Sequence, residues 1–182
     1  MKEYNQSNHT LLSRRQVSRR GFIRSLVTRT HKIKRDMDDE PFTRIAPRPP
    51  TAFNEFALDV LCDGCRKCEF ACPQQVINII SNKPELNLDF NFCTHCGECK
   101  SVCTTDALSS NATSTGVIPM FENNCSRLIS GWCNNCSIQC PTQAIVFNGN
   151  QPKVVNELCN GCGRCRMACP VNAITFSLAE IR

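Results

Sequence analysis

Four cysteine-rich segments repeat along the chain from residue 52 onward, and their first cysteines are 31 to 34 residues apart, at Cys62, Cys93, Cys125 and Cys159. Each segment contains four cysteines, so the repeat accounts for all sixteen cysteines among the 182 residues. Such a proportion indicates either a disulfide framework or metal binding. Aromatic residues make up only 7% of the chain. We therefore expect whatever the cysteines bind to contribute much of the free energy of folding.

The cysteine spacing favours iron-sulfur clusters over zinc. Segments one, two and four have the pattern C-x2-C-x2-C-x3-C, and segment three differs in a first gap of seven residues, between Cys125 and Cys133. A zinc ion usually takes two separated C-x2-C pairs, so three cysteines this close exceed its needs. In bacterial two-cluster ferredoxins, three thiolates of one run bind one 4Fe-4S cluster and the fourth binds the other cluster. The sequence therefore predicts four 4Fe-4S clusters.

The repeat predicts an α+β fold of two tandem bacterial two-cluster ferredoxin-like modules after a basic N-terminal arm. We expect the arm and a proline-rich linker at residues 1–51, and modules at residues 52–115 and 116–182, each with two clusters. Adjacent segments are assumed to pair and to exchange their fourth cysteines. The predicted ligand sets are Cys62, Cys65, Cys68 and Cys103 for cluster one; Cys93, Cys96, Cys99 and Cys72 for cluster two; Cys125, Cys133, Cys136 and Cys169 for cluster three; and Cys159, Cys162, Cys165 and Cys140 for cluster four.

The longer loop of segment three contains the chain's single tryptophan, Trp132. We expect its side chain to cover the cluster and keep water away, since burial tunes the potential of a cluster. A contact with a partner protein is the alternative.

Residues 18–24 read SRRGFIR, which is close to a twin-arginine export signature. An export signal needs an apolar stretch of about 7–15 residues after its basic region. Here the longest apolar run is Leu26 and Val27, and four basic residues follow within residues 29–35. We expect an uncleaved, cytoplasmic protein without a transmembrane segment.

Charge divides the chain into a basic arm and an acidic body. Residues 1–35 carry ten of the 21 basic residues and one of the 16 acidic residues, a net charge of +9, and the remainder carries −4. Four oxidised clusters with their thiolates would add about −8 to the body. Because such a body repels phosphate, we expect no nucleic-acid partner. The sequence also shows no catalytic triad, paired carboxylates or phosphate-binding loop, so we expect no enzymatic activity.

Beyond the cysteine repeat, the sequence resembles the NapF family, the ferredoxin-type proteins of the periplasmic nitrate reductase system. The resemblance is carried by SRRG at residues 18–21, RPP at 48–50, the seven-residue gap in segment three and the closing LCNGCGRCRMACPVNAIT. It implies a cytoplasmic accessory protein that contacts the reductase catalytic subunit before export and assists its maturation. In that family SRRG is not a cleaved signal.

Three functions remain open from the sequence. The first is this maturation factor, with Arg19 and Arg20 binding the precursor of the catalytic subunit. The second is a general electron-transfer ferredoxin that connects redox partners with a reductase. A remote third is a zinc-bound interaction module. For the arm itself, the alternative to partner binding is that it folds back on the acidic body or is disordered.

Overall fold

The computed structural model describes residues 44–179, which lie in one compact unit of the chain. The predicted arm, with Arg19 and Arg20, falls outside the described residues. Six short helices are found in the described part: α1 Glu55–Leu61, α2 Lys67–Phe70, α3 Glu98–Ser101, α4 Ser126–Ser130, α5 Asn135–Ile138 and α6 Arg164–Met167. Within residues 44–179, no helix combines the length and apolarity needed to cross a membrane.

Six strands form three antiparallel pairs: β1 Ile77–Ile80 with β2 Lys83–Leu86, β3 Val117–Phe121 with β6 Ile174–Leu178, and β4 Ile145–Asn148 with β5 Gln151–Val154. The first and last are hairpins between neighbouring strands in the sequence. The β3–β6 pair instead joins residues on either side of segments three and four, with Val117 opposite Leu178 and Phe121 opposite Ile174. These short helices and small sheets confirm the predicted α+β class.

The apolar pairs that close each cysteine segment lie in the core. They are 4% exposed or less, and comprise Val76–Ile77, Ala107–Leu108, Ala144–Ile145 and Ala173–Ile174. One buried cluster unites Leu58, Val76 and Leu108 with Val117, so the start of β3 packs with the first half of the chain. A second cluster contains Ile145 and Ile174 together with Cys136 and Cys165. The predicted module boundary between residues 115 and 116 stays a prediction.

Residues 44–51 are the described part of the predicted linker, and they are packed rather than free. The side chain of Arg48 is buried, donates two hydrogen bonds to the Glu55 carboxylate at 2.9 and 2.7 Å, and donates a third to the Pro84 carbonyl at 3.0 Å. Asn54 then caps α1, because its side chain accepts a hydrogen bond of 2.8 Å from the Ala57 N–H. The hydrogen bonds of Arg48 therefore connect α1, through Glu55, with β2, through Pro84.

Candidate iron-sulfur centres

Each cysteine segment has the same local architecture. The third cysteine lies on a one-turn helix, α2, α3, α5 or α6, and the fourth lies two residues beyond the end of that helix. Glycine precedes two of these helices, where Gly97 and Gly163 have φ values of 82° and 84°. That left-handed backbone is open to glycine without strain and lets the chain turn sharply between the second and third cysteines. The spacing thus brings three thiols to one side of a tight loop.

The structure brings fourth cysteines to the loops of neighbouring segments. Cys62 interacts electrostatically with Cys103, and Cys93 interacts with Cys72. In the second half Cys140 interacts with both Cys159 and Cys162. These are the crossed neighbours that the predicted ligand sets one, two and four require.

In two of the predicted ligand sets, the four cysteines of the set line the same cavity or groove. A small cavity is lined by Cys140 and by the three loop cysteines of segment four, Cys159, Cys162 and Cys165. A wider groove is lined by the whole of set two, Cys72, Cys93, Cys96 and Cys99. In set three, Cys136 interacts with Cys125 and Cys133, while Cys169 packs in the same apolar cluster as Cys136.

Burial makes several of these thiols poor acids. Desolvation, reinforced by neighbouring thiols, raises the pKa of Cys68, Cys93 and Cys136 to about 11 each. The same causes raise the pKa of Cys99 and Cys165 to about 12. A thiolate binds metal, so loading these sites must displace protons and compensate buried negative charge. A cationic iron-sulfur core meets that requirement.

Three of the fourth cysteines, Cys103, Cys140 and Cys169, form hydrogen bonds that sequence reasoning missed. At Cys140, desolvation is the largest influence and raises the pKa, but hydrogen bonds involving Thr142 and the Ala144 N–H outweigh it and hold the pKa below its ordinary value. The Ala173 N–H likewise donates to Cys169 Sγ at 3.2 Å. The available signal was a threonine two residues after the fourth cysteine, at Thr142 and again after Cys103.

All sixteen cysteines lie in the described part of the chain, and none forms a disulfide there. Among residues 44–179, no three His, Cys, Asp or Glu side chains converge on a point suited to one metal ion. In a 4Fe-4S cluster the four ligands bind four separate irons. The thiols of Cys140, Cys159, Cys162 and Cys165 line one cavity, and such a set of four thiols fits a cluster.

The expectation that Trp132 covers a cluster is wrong. Its side chain is 90% exposed, and the neighbouring Ile129 is 72% exposed. The seven-residue gap accommodates α4, which begins directly after Cys125, so the extra residues form a helix and leave the indole in solvent. The alternative, a partner contact, remains for this residue.

Comparison with known families places iron-sulfur domains on both halves of the chain. Residues 61–107 match the 4Fe-4S dicluster domain. Residues 130–178 match the LdpA Fe-S cluster-binding domain. Each match covers the cysteine loops described above, and the two together place segments one and two in one domain and most of segments three and four in another.

Similar proteins agree with this class. An uncharacterized protein of Haemophilus influenzae is 34% identical over 90% of this chain and 93% of its own length. Ferredoxin-type protein NapF of the same organism is 32% identical over 47% of this chain and 70% of its own length. Formate hydrogenlyase subunit 2 of Escherichia coli is 30% identical over 54% of this chain and 51% of its own length. The chain belongs to the ferredoxin-type 4Fe-4S proteins, and it is an electron-transfer protein of that kind.

Proposed function

We propose that the protein holds four 4Fe-4S clusters in the four crossed ligand sets given above. Each cluster, when bound, accepts and donates one electron. The chain supplies the thiolates and excludes water around the buried third cysteines Cys68, Cys136 and Cys165. Hydrogen bonds with N–H or hydroxyl groups orient three of the fourth cysteines, Cys103, Cys140 and Cys169. The observation that carries the proposal is the cavity lined by Cys140, Cys159, Cys162 and Cys165, because it unites a fourth cysteine with the loop of the next segment.

The count is tested by anaerobic purification and metal analysis. We expect about sixteen irons and sixteen sulfides per chain, with broad visible absorption. About eight irons would limit loading to two clusters, and stoichiometric zinc without visible absorption would overturn the cluster assignment.

We further infer that the protein acts in the cytoplasm as an accessory and maturation factor for the catalytic subunit of periplasmic nitrate reductase, and is not itself an enzyme. Support comes from the similarity to ferredoxin-type protein NapF over 70% of that protein's length. The SRRG and RPP elements and the gap in segment three point the same way. The charged residues that follow SRRGFIR leave no apolar core for export.

The arm is proposed to bind the precursor through Arg19 and Arg20. The test is co-purification of tagged reductase precursor with the wild type and with a double variant, Arg19→Ala and Arg20→Ala. A matched control replaces Arg14 and Arg15 with Ala, which removes the same charge from the arm outside SRRG. We expect the first variant to lose most of the precursor while keeping its iron, and the control to retain it. Equal recovery by all three proteins would assign binding elsewhere.

A general electron carrier is the second candidate, and the similarity to formate hydrogenlyase subunit 2 favours it. A carrier should be recovered with mature redox partners rather than with one precursor. Isolation of the untagged protein from cytoplasm, followed by identification of the bound proteins, separates the two functions.

A further inference from the structure

The ligand loops of segments two and four are in direct backbone contact. The Cys93 N–H donates a hydrogen bond of 2.8 Å to the Cys162 carbonyl, and the two thiols interact electrostatically. Thr115, two residues before the start of β3, contacts the same loop, because its buried hydroxyl donates a hydrogen bond to the Gly161 carbonyl at 2.7 Å. The two halves of the chain therefore meet at ligand-bearing residues.

Side chains hold the same contact in place. The guanidinium of Arg164 lies over the Phe92 ring, 4.5 Å from its centre. Arg166 forms an ion pair of 2.9 Å with Asp89. Both arginines are on α6, and both partners lie in the stretch leading to Cys93. We call these residues and the two loops the junction.

Apolar packing elsewhere places the remaining segments beside the junction. Cys68 of segment one is buried in the first apolar cluster, and Cys99 of segment two packs against that cluster. Cys136 of segment three and Cys165 of segment four are both buried in the second cluster. Combined with the hydrogen bond between Cys93 and Cys162, this packing orders the segments as one, two, four, three.

We propose that the four clusters are arranged in this order and that electrons cross between the halves of the protein at the junction. The proposal rests on the four-cluster loading proposed above. In each step one centre is oxidised by one electron and its neighbour is reduced by one, with no bond made or broken. The first electron comes from a one-electron reductant, which is dithionite in the test. Because electron exchange weakens steeply with separation, spatial neighbours determine the route.

The order along the sequence, one, two, three, four, is the competing arrangement, and two ligand variants separate them. Cys159→Ser removes cluster four, and Cys133→Ser removes cluster three. In the proposed order, loss of cluster four leaves cluster three without a neighbouring cluster. Loss of cluster three leaves each remaining cluster with a neighbour. The competing order predicts the reverse. Cys96→Ser is the control, since both orders then leave cluster one isolated.

The measurement is electron paramagnetic resonance of dithionite-reduced protein, with iron content determined first. Fewer than about sixteen irons in the wild type would contradict the proposed loading rather than the order. With full loading, each variant should lose about a quarter of its iron. We expect an unbroadened signal from a single uncoupled cluster in Cys159→Ser and only coupled spectra in Cys133→Ser. The opposite result would overturn the proposed order.

Hydrogen exchange provides a second readout if a ligand variant loses more than one cluster or resists reduction. In the loaded protein we expect slow exchange at the Cys93 amide, and at least tenfold faster exchange in Arg164→Gln and Arg166→Gln at unchanged iron content. Rapid exchange in the wild type, or equal exchange in all three proteins, would show that the junction does not form and would overturn the proposal.

Discussion

Replacement of Arg48 by Met should destabilise the protein strongly, because Arg48 is a buried cation with three defined acceptors. Its side chain is 4% exposed, against 14% for its partner Glu55. The guanidinium pairs with that carboxylate through two hydrogen bonds and also satisfies the Pro84 carbonyl. Methionine fills a similar volume but donates nothing, so the variant leaves a largely buried carboxylate and a buried carbonyl unpaired.

The magnitude follows from those two lost partners. Breaking a buried ion pair by removing one member costs about 3–5 kcal/mol. Because Glu55 keeps some contact with water, we place the cost near the lower end, about 3 kcal/mol. Arg48→Lys should lose about 1–2 kcal/mol, about the value of one hydrogen bond, since lysine retains the charge but cannot form the paired hydrogen bonds. Arg66→Met is the matched control: Arg66 pairs with Glu69 at 2.6 Å but its side chain is 59% exposed, so water screens the pair and the loss should be much smaller than for Arg48→Met.

The assay is anaerobic urea unfolding of cluster-loaded protein at matched iron content, followed by far-UV circular dichroism. Proteins with bound cofactors can depart from two-state unfolding, so the midpoints of the variants are compared rather than extrapolated free energies. A loss of about 3 kcal/mol should lower the midpoint by about 1–3 M urea for Arg48→Met. A midpoint equal to that of Arg66→Met would refute the structural role assigned to the Arg48 guanidinium.

Three further predictions use the same assay. Gly161→Ala should destabilise the protein more than Gly97→Ala. Both glycines have left-handed backbone. An added Cβ at Gly161 would overlap Thr115 and lie 2.8 Å from a carbonyl oxygen, whereas an added Cβ at Gly97 would have no neighbour within contact distance. Gly97→Ala should cost only the strain of placing a side chain on left-handed backbone, about 1–2 kcal/mol. Equal urea midpoints for the two variants would contradict this difference. Removal of iron by a chelator should abolish cooperative unfolding of the cysteine-rich body, because the ligand loops contribute much of its core; a retained cooperative transition in iron-free protein would be evidence against it. Trp132→Ser should leave both the iron content and the urea midpoint unchanged, since the indole is exposed, and a lowered midpoint would indicate that the indole packs on the body.

The sequence predicted the features that depend on short-range spacing. Three cysteines within seven residues require a tight loop, and the structure places the third, such as Cys99, on a one-turn helix. The apolar pair that ends each segment follows the fourth cysteine at the same spacing in all four segments, and Ala173–Ile174 is as buried as its three counterparts. Loop geometry and the buried pair both follow from residues a few positions apart, which is why a single sequence reveals them.

Features that depend on residues distant in the sequence could not be predicted in the same way. The prolines at residues 47–50 predict a linker, but composition could not show that Arg48 would be buried. Its burial depends on Glu55, seven residues later, and on the Pro84 carbonyl, 36 residues later. Trp132 illustrates the opposite error, because an aromatic residue beside a ligand was expected to cover it and instead lies in solvent.

The junction explains why a repeat alone cannot define the arrangement of the clusters. Four similar segments predict four similar loops, and the cysteine spacing predicts which cysteines share a loop. The spacing gives no information about contacts between loops. Those contacts depend on residues outside the cysteine pattern: Thr115 between the halves, and Phe92 and Asp89 before Cys93, which meet two arginines of α6. Segment three lacks arginine at the positions that Arg164 and Arg166 occupy in segment four, where it has Asn135 and Ser137. The repeats are therefore equivalent as ligand loops and different as contact surfaces, and this difference allows segment four, rather than segment three, to lie beside segment two.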